Sequence, residues 1–60
     1  MIHLELTQEE HDFLVQILEE FLSDLRMEIA DTDSADYKED LRHEKHVVND
    51  VLAKVKAAHA

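Results

Sequence analysis

The residues of this chain best suited to chemistry are Glu39, His43, His46 and Asp50. Steps of four, three and four place all of them on one face of a helix. Imidazole together with carboxylate suits a borderline divalent metal such as zinc. Two features count against a metal centre. That face lies roughly opposite Val48, Val51 and Val55, so it points to water, and four ligands strung along one straight helix span too far to close a tetrahedron. Only an adjacent pair, His43 with His46, can chelate. The expectation is a solvated polar face and no cofactor, with divalent-metal binding through His43 and His46 as the less favoured alternative.

Other chemistries find less to stand on. A di-iron carboxylate bundle needs inward Glu-x-x-His pairs, but Asp40 and His43 stand three residues before His43 and His46, and Gln8 stands before His11. Glu44 points inward alone. There is no cysteine nucleophile and no glycine-rich loop, and Ser23 falls on the polar side of its helix. A helical hairpin also offers no deep pocket. The chain is therefore expected not to be an enzyme. His11 and His59 fall at the margins of the apolar seams and are expected to be boundary or capping residues. Protonating the five histidines near pH 6 reduces the net negative charge, which is an opening for pH-dependent association.

The elements that hold these residues follow from composition and periodicity. Sixty residues make one domain, and a chain this short buries only about 60% of the surface it exposes when unfolded. Small domains usually compensate with disulfides, a metal or oligomerisation. Cysteine is absent, so oligomerisation is the expected staple. Fifteen acidic residues against six Lys and Arg give a net charge of −9. Nucleic acid is excluded as a partner, because binding rests on neutralising phosphates with clustered basic side chains. Anionic membrane surfaces are disfavoured for the same reason. No apolar run approaches the roughly 20 residues that span a bilayer, and no basic segment leads into an apolar one as in a secretory signal. A cytoplasmic location is the default expectation.

Glycine and proline are both absent. A β-rich domain would need such residues at its tight turns, so an all-α fold is expected. Ile2, Leu4 and Leu6 alternate with polar residues, the signature of a short extended N-terminal segment. Residues 1–6 are open to two readings, a strand paired with the same segment of a second chain or a frayed terminus. Thr7-Gln8-Glu9-Glu10 is a capping box that opens helix 1. Leu6 precedes the cap, where it can staple onto the first turns.

Helix 1, about residues 8–30, carries Val15, Leu18, Leu22, Leu25 and Ile29 at heptad spacing. Leu14 and Phe21 widen this seam on one side, and Phe13 and Ile17 widen it further. The apolar arc covers about half the circumference, more than a helix needs to pack on one neighbour. Residues 31–34 form a short polar turn with Asp33 or Ser34 as the next cap, and a loop this short makes the helices antiparallel. Helix 2, about residues 35–58, shows a seam of Tyr37, Leu41, Val48, Val51 and Val55, broadened by Val47 and Leu52. Glu44 falls on that seam. Arg26 and Glu44 flank the seams, either as an ion pair between helices or across a dimer, or reaching out to water from the rim. The last turn, Ala57 to Ala60, is expected to fray.

The stretch Leu22–Asp33, reading LSDLRMEIADTD, resembles the turn region of a small uncharacterised bacterial family of acidic helical hairpins. The charged start of helix 2, Tyr37-Lys38-Glu39-Asp40-Leu41, and the opening Leu4-Glu5-Leu6-Thr7-Gln8-Glu9-Glu10 are similar to the same chains. The resemblance implies the hairpin and brings no activity with it. It also puts emphasis on Arg26, Asp31, Thr32 and Asp33 as a polar knot at the turn.

One domain spanning 1–60 is thus expected, a two-helix antiparallel hairpin dimerising into a four-helix bundle. The apolar interface is expected to comprise Leu14, Val15, Leu18, Phe21, Leu22, Leu25 and Ile29 from helix 1, and Leu41, Val48, Val51 and Val55 from helix 2. The function that follows is a non-enzymatic protein–protein interaction or oligomerisation module with a homodimer as its assembled form. The alternative is an adaptor for an unlike, larger protein.

Overall fold

The computed structural model describes residues 1–58 as two helices, α1 (Gln8–Asp31) and α2 (Ala35–Ala57), joined by residues 32–34. His59 lies outside the described residues. Residues 1–7 run into α1 without regular secondary structure, and there is no strand among the described residues. The Ile2–Leu6 alternation therefore has no ladder to pair with in the single chain.

The start of α1 is set by the capping box. The Thr7 hydroxyl accepts from the Glu10 N–H at 3.2 Å, and the Glu10 carboxylate accepts from the Thr7 N–H at 2.9 Å. Both bonds satisfy donors that a helix N-terminus otherwise leaves orphaned. Glu9 and Glu10 add negative charge at the positive end of the helix dipole. At the other end Thr32 turns extended, its N–H still donating to the Glu28 carbonyl at 3.0 Å. Its hydroxyl accepts from the Ser34 N–H at 3.3 Å. Ser34 then caps α2, taking the Tyr37 N–H at 3.3 Å. Thr32 and Ser34 thus make the turn. Arg26, Asp31 and Asp33 are exposed and form no ion pair among the described residues. Lys54 and Lys56 occupy the last turn of α2, where the dipole favours cations.

The core is a single seam between the helices. Leu22 and Leu25 of α1 and Leu41 and Leu52 of α2 are buried, with Val15, Leu18, Ile29 and Val48 packed against them. On α1 this is the expected heptad row. On α2 the row runs through Leu41, Lys45, Val48, Leu52 and Val55, with Tyr37 and Val51 left exposed. Glu44 is exposed and Lys45 takes the half-buried place between Leu41 and Val48. The reason is angular. At 100° per residue, Leu52 lies about 20° from Leu41 around the helix, whereas Val51 lies about 80° away. The two leucines bury the larger side chains on one line, and the lysine stem can lie along that line with its ammonium in water.

The molecule measures 42 × 23 × 13 Å between Cα atoms. Two helices packed side by side form a single layer with two broad faces. No helix among the described residues is long and apolar enough to cross a membrane.

Candidate interaction face

The two ends of the layer are held differently. At the termini end, the His11 side chain reaches across from α1 to α2. Its Nε2 lies 2.7 Å from the Val55 carbonyl oxygen and its Nδ1 lies 3.2 Å from the Asp12 carboxylate. Both ring nitrogens face acceptors, so the imidazolium, with two N–H donors, satisfies both contacts. The Asp12 hydrogen bond, followed by that of the Val55 carbonyl, raises the His11 pKa above the ordinary imidazole value. The Asp12 carboxyl is lowered in turn, by His11 and then by the Gln8 side-chain amide, which donates at 2.8 Å. Glu10 is also lowered, by the backbone N–H and then the hydroxyl of Thr7.

His11 stands four residues before Val15, on the same heptad row as the core of α1. Its position as the terminal member of that row is readable from spacing. Its partner is a backbone carbonyl, which no sequence pattern marks.

One long edge of the layer carries a second interhelical contact, Lys56 Nζ to Glu19 Oε1 at 3.1 Å, with both side chains about half exposed. Projected at 100° per residue, Glu19 and Lys56 both lie on the same side of the leucine seam. The opposite side is where most of the remaining exposed apolar residues fall, Met27 excepted. Phe13 (57% exposed), Ile17 (58%) and Phe21 (40%) of α1 and Val47 (45%) and Val51 (41%) of α2 all project there. Leu14, half-buried, lies between them and the seam. Leu4 and Leu6 line the same shallow hollow as Phe13, Leu14 and Ile17, so the N-terminal segment extends this surface.

Five large apolar side chains on one face differ from the scattered apolar residues of an ordinary surface. The total accessible area supports the same point. The chain exposes 5094 Å², whereas a compact monomer of 7.0 kDa is expected to expose about 4,000 Å². The excess, about 1,000 Å², is that of a thin molecule with an exposed N-terminal segment in which Met1, Ile2 and Leu4 are largely uncovered.

The residues expected to carry the apolar interface thus divide between two places. Val15, Leu18, Leu22, Leu25, Ile29, Leu41, Val48 and Val55 lie along the seam within the hairpin, while Leu14, Phe21 and Val51 belong to the open face together with Phe13, Ile17 and Val47.

The polar row of α2 lies elsewhere. Glu39, His43, His46 and Asp50 are all exposed, with His46 Nε2 3.8 Å from Asp50 Oδ2 as the one close pair. No group of three or more His, Asp or Glu side chains among the described residues is gathered to hold a metal. Arg26 and Glu44 are exposed as well and make no ion pair among the described residues, so each reaches to water from the rim.

Compared with protein-family models, with curated proteins and with solved structures, the chain matches none.

Proposed function

We propose that this chain is a non-enzymatic self-association module in which a second copy covers the open apolar face, giving a four-helix bundle. The observation that supports this reading is the collection of Phe13, Ile17, Phe21, Val47 and Val51 on one face of a layer of two helices. Burying apolar area stabilises by about 25 cal/mol per Å², and among the described residues only four are buried. A second copy supplies what the first lacks, a matching apolar face of the same width.

Light scattering and sedimentation across a dilution series into the micromolar range test the proposal. The expected result is twice the chain mass, with dissociation and loss of helical circular dichroism together at high dilution. Ile17→Glu and Val51→Glu each place a charge on the face and are expected to abolish the dimer. A wild-type chain that remains folded and monomeric throughout the series overturns the proposal and leaves the face for an unlike protein.

A further inference from the structure

The geometry points to one docking orientation. We infer that the second copy binds antiparallel, turn ends outward, about a two-fold axis that passes over the open face at the height of Ile17 on α1 and of Asn49 on α2. This inference rests on the self-association reading above.

The heights of residues along the layer follow from the turn, which sets Asp31 about level with Ala35, and the His11–Val55 contact at the far end agrees with that register. Six residues toward the turn on each helix, Ile17 and Asn49 are therefore level too. The open face is not uniform along this direction. Around that height it is apolar, with Phe13 and Phe21 four residues either side of Ile17 and Val47 and Val51 two residues either side of Asn49. Toward the turn the same face carries Asp24 and Glu28 of α1 and Asp40 and Glu44 of α2, all exposed. Lys54 lies on it at the other end, five residues beyond Asn49.

Two symmetric ways exist to stack two such layers face to face. With the axis parallel to the helices, the turn ends coincide and α1 lies over α2 of the second copy at equal height. Asp24 and Glu28 of each copy then oppose the partner's Asp40 and the partner's Glu44, gathering eight carboxylates in one collar at the edge of a partly desolvated interface. Like charges in that setting repel strongly.

With the axis perpendicular to the helices, α1 lies on α1 and α2 on α2, and each acidic end moves away from its counterpart. Phe13 then meets the partner's Phe21, Ile17 meets the partner's Ile17, and Val47 meets the partner's Val51. Glu44 and Lys54 stand five residues either side of Asn49, so Lys54 faces the partner's Glu44, twice by symmetry. The opposing cost is Glu10 near the partner's Asp24. Complementary charge at the rim and apolar contact at the centre both favour this arrangement.

Distance between turns separates the orientations. Asp33 is exposed and sixteen residues beyond the axis. Asp33→Cys carrying a nitroxide is expected to give a label–label distance of about 50 Å by pulsed electron resonance, against roughly 25 Å or less for parallel docking, at 1.5 Å per residue. The mass of the same labelled sample is measured alongside. A dimer with the short distance overturns the orientation and leaves the self-association reading standing; a monomer overturns both.

A charge exchange gives a second reading. Lys54→Glu is expected to weaken association roughly three- to tenfold, and Lys54→Glu with Glu44→Lys to restore it to within about twofold. A double variant no tighter than Lys54→Glu alone overturns the pairing.

Discussion

The His11 imidazole lies 2.7 Å from the Val55 carbonyl oxygen, tying the first turn of α1 to the last turn of α2 across 44 residues of sequence. The bond sits at the end of the layer away from the covalent turn, so the hairpin is closed at both ends. The contact is also titratable, and its consequence is a stability term that depends on pH.

His11 gains acceptors on folding and its pKa is raised. A raised folded-state pKa means that the protonated form stabilises the fold. This contribution is complete below the ordinary imidazole value of about 6.5 and disappears as pH rises through the folded value. The difference in thermal midpoint between the wild type and His11→Leu is therefore expected to be largest near pH 5 and to shrink by about pH 8. Proton NMR titration of the His11 ring checks the raised midpoint directly. A difference that is flat in pH, or that grows toward alkaline pH, contradicts the imidazolium clamp.

The carboxylates behave oppositely. Glu10 and Asp12 are lowered, so their stabilisation is present above the ordinary carboxyl range and is lost as pH falls through their folded values. Thr7→Ala removes the hydroxyl that caps α1. It is expected to cost about 1 kcal/mol, or a fall of about 4–8 °C in a domain of this size. Thermal melts at neutral pH measure the loss, and an unchanged midpoint contradicts the capping role.

Leu25→Ala is expected to be far more damaging. Leu25 is one of four buried residues among those described, about level with Leu41 across the seam. Truncating a buried leucine costs about 2–5 kcal/mol, a large share of the stability of so small a domain. Urea denaturation is expected to show loss of the folded baseline at room temperature. A folded variant with a midpoint near that of the wild type contradicts the seam as the source of stability.

Lys56→Ala, by contrast, is expected to change stability by less than about 1 kcal/mol. The Lys56–Glu19 pair is half exposed, and such pairs are weakened by solvent and salt. Denaturation at low and high salt tests this, and a loss comparable with that of Leu25→Ala contradicts it.

Zinc or nickel added in slight excess at neutral pH is expected to leave the thermal midpoint unchanged, because the His46–Asp50 contact is long and exposed. A rise of several degrees that disappears in His43→Ala or His46→Ala restores the metal reading.

Most of the hairpin is legible in the sequence for physical reasons. The Thr7–Glu10 box, the heptad row of α1 and the polar cluster before Ser34 are local signals, each acting within one or two turns of chain. The register of α2 is not legible in the same way. Val47, Val48, Val51, Leu52 and Val55 fit two seams that differ by one residue, and apolar counting cannot choose between them. The choice depends on which line turns both Leu41 and Leu52 toward α1. The same ambiguity makes Glu44 look inward when Lys45 holds that place. On α1 the excess apolar arc is plain from spacing, and Phe13 and Ile17 remain more than half exposed. The His11–Val55 and Glu19–Lys56 contacts bridge distant segments, so nothing near either residue announces them.

A three-residue turn grades the hairpin along its length. Pairs near Thr32 close small loops and zip first, while those around His11 and Val55 close last and reopen most readily. The backbone that frays soonest is thus the backbone lying beside Phe13 and Val51. Amide hydrogen exchange is expected to run fastest there in a dilute chain, and to slow most at that same end once the face is covered.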